Sequence, residues 1–584
     1  MQGLLLDKGF SMYKLLSHWI LITLIISVSP AALPETPDYF QNDTPARFDN
    51  NQNPQLPPAN RSEESQPFIT IRSFEPIDFL DVPESDVRLS DIESVLARYL
   101  EEQNGEFTVA ELDALTKELT QYYRSRGFIL ARVIIPEQSV VSGVVQLRLV
   151  IGRLHSVAVT GESAYGQETL KVPFRRQVGE PVQQDALERA LIQLSAYPGI
   201  DLTTALAPGD EPGTTQMNLR VLEEKPLAAS VVVDNQGTED TGIYRLTMAG
   251  QYRNPTDHAD MLSGSLRVSA FAANSIAGQI DYTAPLPHFT PPGPYYLWED
   301  TDLGIGYSLT RYQVMGDFEA LDLSGGSDQF YVKATRGLDY SRRHRLSADI
   351  TLSKILSRTQ QSNATLSDDN LTALSAGVQW ENTDLVLGGG RNTLDARVTQ
   401  GLGGFLGGLS GSGDAASSRD GASGEFAGGV YTVLSTRAER LQSYGDQFLS
   451  LAGTVQLSND LLTSSEQIGF GGQNTVRGYP ESSYSADSAV IVNVEYFGIS
   501  GSPGAALPIS NIKLAAFWDM AWGWRNDAFP SEDETPSAMS IGGYMALSVL
   551  RDYQARVDLG IPVGSSLPDD GSRFRVTFSL SRLF

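Results

Sequence analysis

The chain has 584 residues, 41% of them hydrophobic, and a formal net charge of −27. That length exceeds one ordinary core and requires several domains, while the acidic balance argues against nucleic acid as a partner, which needs clustered Lys and Arg. With no cysteine and five scattered histidines, disulfides, thiolate catalysis and Cys- or His-based metal sites are not expected, and no cofactor is implied.

Residues 1–32 read as a secretory signal peptide. Lys8 and Lys14 supply the positive region, and Leu15 to Val28 is mostly apolar. Ser29-Pro30-Ala31-Ala32 offers small residues for cleavage after Ala31 or Ala32. The apolar run is short for a membrane anchor, and Pro30 follows it. No later run is long and apolar enough to cross a bilayer as a helix. Residues 33–67 form a flexible linker, because Pro34, Pro37, Pro45, Pro54, Pro57 and Pro58 prevent a long helix.

From 68 to 153 the pattern is α+β. Phe68 to Phe79 reads as a strand. Ser90-Asp91-Ile92-Glu93 is a capping box opening a helix with Ile92, Val95, Leu96, Tyr99 and Leu100 on one face. Thr108-Val109-Ala110-Glu111 opens a second helix, with Leu112, Leu115, Leu119 and Tyr122 on its stripe and Gly127 at its end. Strands follow at Ile129–Ile135 and Val144–Val150. This β-α-α-β-β order resembles a POTRA module, and so do Tyr123-Arg124-Ser125-Arg126-Gly127-Phe128, Ala131-Arg132-Val133 and Pro136-Glu137-Gln138. The order returns from 154 to 226. A strand at His155–Thr160 precedes a weak helix near Gln167–Phe174. A clear helix at Gln183–Ser195 turns Leu187, Ala190, Leu191 and Leu194 inward. Strands at Asp201–Leu206 and Gln216–Glu223 are joined by a turn at Pro208-Gly209 and Gly213.

Residues 227–584 read as all-β. Tyr244, Leu246 and Met248 alternate with Arg245 and Thr247. Leu262, Leu266 and Val268 alternate with Ser263, Ser265, Arg267 and Ser269. Ile280 and Tyr282 alternate with Gln279, Asp281 and Thr283. One face is apolar from strand to strand, and the other is charged or small. A soluble sandwich fits single strands, but about 350 residues of hairpins with no helix fit a transmembrane barrel better. Closure satisfies every backbone donor and acceptor, which lipid cannot. At about 20 to 24 residues per strand and loop, roughly 16 antiparallel strands are expected. Asn254-Pro255-Thr256-Asp257 is a short turn. Gly401 to Gly424 is Gly/Ser/Ala-rich and reads as a mobile extracellular loop. In Ile512–Trp524 the even positions, including Trp518, Met520 and Trp522, face lipid. Lys513, Phe517 and Asp519 then face the lumen. In the last strand Phe574, Val576, Phe578, Leu580 and Phe584 share a face, with Arg582 at the interface.

One stretch organises the rest: Phe470-Gly471-Gly472-Gln473-Asn474-Thr475-Val476-Arg477-Gly478-Tyr479, followed by Pro480-Glu481. Together with Glu466-Gln467, it resembles the two-partner secretion transporters (TpsB) of the POTRA-plus-barrel superfamily, whose sixth extracellular loop carries Val-Arg-Gly-Tyr. Asp234-Asn235-Gln236-Gly237 and Thr241-Gly242 resemble that family's first hairpin. Phe517 and Asp519 resemble its Phe-x-Asp-x-Gly strand motif, with Ala521 in place of the glycine and Gly523 two residues on. The terminal Phe584 resembles the insertion signal of bacterial outer-membrane proteins.

The resemblance implies that the 470–481 loop tucks into the lumen, where Arg477 pairs with Asp519. Glu495, inward beside Asn493 on the preceding strand, reads as a second candidate partner. The rival reading is a solvated Arg477 at the loop tip, with Asp519 lining a wet channel. The resemblance also implies a non-enzymatic translocator in the bacterial outer membrane, with its POTRA modules in the periplasm. Its partners would be a large secreted exoprotein of adhesin or cytolysin type, outer-membrane lipid, and the barrel assembly machinery during biogenesis. A short plug helix, common in that family, is not read in 33–67. An assembly factor that inserts other barrels shares this domain order and stays open as the alternative; a passive pore would not need the POTRA pair. No nucleotide-binding loop, nucleophile elbow or metal cluster is seen.

Overall fold

The computed structural model describes residues 68–584, apart from 141, 162, 270–273, 287–299, 502–508, 551, 565–566 and 569. The signal-peptide and linker readings therefore lie outside the described residues. The chain divides into two compact units, one ending at Glu224 and one running from Lys225 to Phe584.

The first unit holds two α+β modules. The first contains β1 (Ile69–Thr70), β2 (Ser73–Ile77), α1 (Leu89–Glu102), β3 (Glu106–Phe107), α2 (Val109–Ser125), β4 (Arg132–Ile134) and β5 (Val144–Val150). The strand expected over Phe68–Phe79 is thus two short pieces. Strand β2 runs parallel to β5, which pairs antiparallel with β4. Ile92, Leu96, Leu115, Leu119, Tyr123 and Leu147 form the core beneath the helices. The Thr108 box is made: Thr108 N donates to Glu111 Oε2 at 2.7 Å, and Glu111 N to Thr108 Oγ1 at 3.3 Å. The Ser90 box is not. The Val82–Val87 bridge delivers the chain so that α1 starts at Leu89, which puts Ser90 inside the first turn. Long-range groups cap this helix instead. Arg88 N donates to Tyr122 Oη at 3.0 Å, and Leu89 N to Asp81 Oδ1 at 3.4 Å.

The second module contains β6 (Arg153–Thr160), α3 (Gln167–Lys171), α4 (Gln184–Ser195), β7 (Ile200–Pro208) and β8 (Thr214–Glu224). Its sheet has the order β6-β8-β7. Leu187, Ala190 and Leu194 are buried, while Leu191 is only half-buried.

The second unit is a closed antiparallel barrel of sixteen strands, β9 to β19 and β22 to β26. In chain order they are β9 (Leu227–Asp234), β10 (Arg245–Arg253), β11 (Met261–Ser269), β12 (Ser275–Pro285), β13 (Thr301–Gln313), β14 (Leu323–Tyr340), β15 (His344–Gln361), β16 (Ala364–Asp384), β17 (Gly390–Gly401), β18 (Thr432–Tyr444) and β19 (Gln447–Leu457). After a small hairpin, β20 (Ile468–Phe470) and β21 (Tyr484–Ala486), come β22 (Ser488–Gly501), β23 (Ile509–Trp524), β24 (Ser537–Val549), β25 (Tyr553–Pro562) and β26 (Arg575–Leu583). Closure of β26 onto β9 removes both sheet edges, which is what separates this fold from a sandwich.

The two faces follow the pleat. On β15, Ile350, Leu352 and Leu356 are exposed on the outside while Asp349 is buried inside. Asp349 accepts from both terminal nitrogens of Arg397 at 2.9 Å. Trp518, Trp522 and Trp524 are exposed on the outer face of β23, whereas Phe517, Asp519 and Ala521 between them are buried. Such alternation is what lipid outside and polar groups inside demand. The closing seam is short: β26 and β9 pair from Ser579↔Asp234 to Leu583↔Ser230. The Asn235 side chain extends it, accepting from Phe578 N at 2.7 Å and donating to Val576 O at 3.1 Å.

Candidate functional site

The loop between β19 and β22, residues 458–487, folds back against the inner wall. Its β20–β21 hairpin places Phe470, Val476, Tyr479 and Ala486 in one buried cluster with the wall residues Ala489, Ile491, Ala521 and Ala538. Hydrophobic burial thus holds the loop inside, and the charges then set its register.

Arg477 is 4% exposed and Asp519 0%. Arg477 Nε donates to Asp519 Oδ2 at 2.6 Å, and Nη2 to Oδ1 at 2.7 Å. The Arg477 backbone N–H reaches the same carboxylate at 3.1 Å. The remaining terminal nitrogen donates to Glu495 Oε1 at 2.5 Å. Strand register explains the set: Asn493 stands opposite Asp519, and Glu495 opposite Phe517. Asn493 Nδ2 donates to Asp519 Oδ1 at 2.8 Å and to Thr475 O at 2.6 Å. The guanidinium lies 3.6 Å from the Phe517 ring centre. A planar cation meeting a bidentate carboxylate, a second acid and an aromatic face is an environment suited to Arg rather than Lys.

Glycine makes the approach possible. Gly478 has φ 94° and presses on Gly560 of β25, where an added Cβ would stand 2.5 Å from Gly478 N. Gly471 and Gly472 also have positive φ, and a Cβ on Gly471 would meet Pro480 O at 2.5 Å. Ala521, where the resembled motif has glycine, is accommodated in the buried cluster. The tight place is Gly523, whose Cβ would lie 2.7 Å from that of Ala486.

Two further arginine-centred charge clusters were not singled out from the sequence. Glu481 accepts from Arg245 Nη1 at 2.6 Å, and Arg245 Nε also donates to Asp234 at 2.8 Å. Arg419 donates to Asp487 at 2.5 Å, to Leu462 O at 3.3 Å and to Asn526 O at 2.9 Å. Arg419 is the single cation of the Gly/Ser/Ala-rich stretch 401–424, the one signal that could have marked it. This pairing corrects the reading of that stretch as mobile. Ser418 N also donates to Asp369 at 2.9 Å, and Asp527 accepts from Ser423 N at 3.1 Å. Phe584 sits beyond β26, 63% exposed, its N–H donating to Ala229 O at 2.9 Å.

Residues 84–152 match the POTRA domain, ShlB-type, and residues 213–543 match the family described as haemolysin secretion/activation protein ShlB/FhaC/HecB. The chain is 21% identical over 518 residues to the heme/hemopexin transporter protein HuxB of Haemophilus influenzae strain 86-028NP, covering 87% of this chain and 86% of that one. It is 26% identical over 423 residues to the outer membrane transporter CdiB of Escherichia coli, covering 71% and 67%. The solved structure of CdiB from Escherichia coli shares the fold with a TM-score of 0.70 at 20% identity, over 91% of this chain and 93% of that one. The family match spans more than half of the sequence, so this chain belongs to the haemolysin secretion/activation family of ShlB, FhaC and HecB: it is an outer-membrane transporter of two-partner secretion, with its POTRA modules in the periplasm.

Proposed function

We propose that the chain carries one large exoprotein, unfolded, from the periplasm to the cell surface, and that the 458–487 loop closes the path between transport events. The observation that supports this reading most is the inward position of that loop, fixed by the Arg477–Asp519–Glu495 set. A chain threading the lumen needs the space the loop occupies. Passage therefore requires Arg477 to leave Asp519, which costs about 3–5 kcal/mol if Asp519 stays buried. No nucleotide serves that side of the membrane, so folding of the cargo outside supplies the drive.

Cargo capture falls to the POTRA pair. Strand β7 is nine residues long and lies at the edge of its sheet. An extended segment can add there through backbone hydrogen bonds, which read shape more than side chains. One relative is named for heme/hemopexin transport and the family for haemolysin secretion, which suits an adhesin- or cytolysin-like cargo. Residues 1–32 direct export, and the last strand ending at Phe584 is read by the barrel assembly machinery.

The test compares secreted and surface proteins from cells with and without this chain, by mass spectrometry. Loss of one large exoprotein with other outer-membrane barrels unchanged is expected. General depletion of barrels would instead indicate an assembly factor.

A further inference from the structure

The outer wall of the barrel carries a feature that secretion does not use. A groove of ≈ 500 Å³ crosses the lipid-facing side of β11 to β15, with Ile280, Ile305, Phe330, Val332 and Leu352 in its wall and Leu406 at its edge. Lys354 lines the same groove. It points outward, as do Leu352 and Leu356 on either side of it, and stands opposite Phe330 on β14.

The level of Lys354 follows from its neighbours. Strand β9 follows the periplasmic modules directly, so β15, the seventh barrel strand, runs toward the cell surface. Above Lys354 in that direction lie two outward ion pairs, Arg311–Asp328 at 2.7 Å and Arg358–Asp368 at 2.6 Å. Below it the outward residues Leu352, Val332 and Ile350 are apolar and exposed. Lys354 thus stands at the top of the apolar band, where the outer leaflet changes from acyl chain to headgroup.

Its charge is uncompensated within the protein. Among the described residues, Nζ donates to Leu406 O at 2.9 Å and to Thr372 Oγ1 at 3.2 Å, both neutral, and no carboxylate lies within ion-pair distance. Thr372 Oγ1 in turn donates to Phe405 O at 3.0 Å. While Leu409 packs with inward Leu371, the Phe405–Leu406 turn of the 402–431 loop thereby reaches the outer side of β16. It presents Phe405, 48% exposed, and Leu406, 61% exposed and at φ 51°, to the lipid. An ammonium facing hydrocarbon is costly unless an anion joins it, and a groove beside it needs apolar filling.

We propose that this groove binds a phosphorylated glycolipid of the outer leaflet, one acyl chain lying along Ile280, Ile305 and Val332 and one phosphate paired with Lys354. The chemistry selects this lipid over a phospholipid for two reasons. Its phosphates sit directly on the acylated sugar, so a phosphate and the start of an acyl chain are as close together as Lys354 and the groove. It also lacks the ammonium with which a zwitterionic phospholipid would neutralise its own phosphate. Bound there, the lipid would also touch Leu406 and steady the 402–431 loop from outside.

The test uses the full-length transporter purified in detergent, with bound lipid measured by native mass spectrometry. The probes are a diphosphorylated hexa-acyl glycolipid, its dephosphorylated form, phosphatidylglycerol and inorganic phosphate. Wild type should retain the diphosphorylated glycolipid through delipidation about fivefold better than Lys354→Gln, the worth of one charge pair at an interface. Leu406→Ser, which trims the groove and keeps the cation, should also lower retention, and Lys171→Gln in the POTRA pair should not. Heat-modifiable migration on gels establishes that each barrel is folded. Equal retention by wild type and both groove variants would overturn the proposal. So would a preference for phosphatidylglycerol or the dephosphorylated lipid, or capture of inorganic phosphate alone.

Discussion

Arg245 and Glu481 lie 236 positions apart and meet at 2.6 Å. The contact joins the inward loop to β10, and through Arg245 to Asp234 on β9. The same loop reaches the other side of the seam, where Thr577 Oγ1 on β26 donates to Gln473 Oε1 at 2.9 Å. One loop therefore ties the first and last strands of the barrel from within, across the shortest pairing in the wall. Arg245→Ala should cost about 3–5 kcal/mol, because it leaves Asp234 buried and unpaired. Glu481→Gln should cost about 1 kcal/mol, since Glu481 is partly open to solvent. The temperature at which the barrel loses its compact migration on gels would rank them. Equal effects would mean that Asp234 does not depend on Arg245.

The chain has no cysteine, so an engineered pair would supply its only thiols. Gln473→Cys with Thr577→Cys, bridged by a short reductant-cleavable bis-thiol cross-linker that replaces the length of the Gln473 side chain, should pin the loop to β26 and stop secretion. Reductant should restore it. Secretion that continues with the cross-link intact, verified by mass shift, would show that the loop need not leave β26 during transport.

Arg477 and Asp519 should not tolerate exchange. The Arg477 backbone N–H also donates to Asp519, and the guanidinium stacks on Phe517. Arg477→Asp with Asp519→Arg would restore net charge but not these contacts, and would set a new carboxylate beside Glu495. We expect Arg477→Ala, Asp519→Ala and the double exchange all to lower secretion strongly at normal barrel levels. Arg477→Lys should fall between, because an ammonium cannot grip two acids and stack at once. Full rescue by the exchange would reduce the site to a simple charge pair.

Gly560→Ala tests packing without touching any charge. The new Cβ would stand 2.5 Å from Gly478 N, so the loop tip must retreat, at a cost of about 1–3 kcal/mol. The expected result is a barrel of normal yield whose loop is more accessible to protease. Unchanged accessibility would mean that the tip can shift without releasing Arg477.

The sequence made the architecture legible where periodicity is strong. Alternation at Ile512–Trp524 is enough to set Trp518 against lipid and Asp519 inward, because the pleat has period two. The Thr108 capping box was legible because all its parts are local. The Ser90 box failed for the opposite reason: a bridge before it and Tyr122, over thirty residues later, decide where α1 begins. Arg245–Glu481 and Arg419–Asp487 were invisible for the same cause. Each joins strands and loops that only barrel closure brings together, and nothing local distinguishes these arginines from solvated ones.

Arg419 is 9% exposed and its partner Asp487 is fully buried. Asp487 also accepts from Leu462 N at 3.0 Å and Asn526 N at 2.8 Å, so three extracellular loops converge on one carboxylate. Removing the cation leaves that carboxylate with amides alone and should cost about 3–5 kcal/mol, concentrated in the loops. In Arg419→Ala cells, added protease should cut within 402–431 far sooner than in wild type, while the barrel strands stay protected. Asp487→Asn should open the loops somewhat less, since its amide oxygen keeps one of the two N–H donors, Leu462 N on Oδ1 or Asn526 N on Oδ2, and Arg419 keeps Leu462 O and Asn526 O. If Arg419→Ala cells resist protease as wild type does, the apolar contacts of Leu409 with Leu371 and Leu462 suffice to hold the loop, and the ion pair is dispensable.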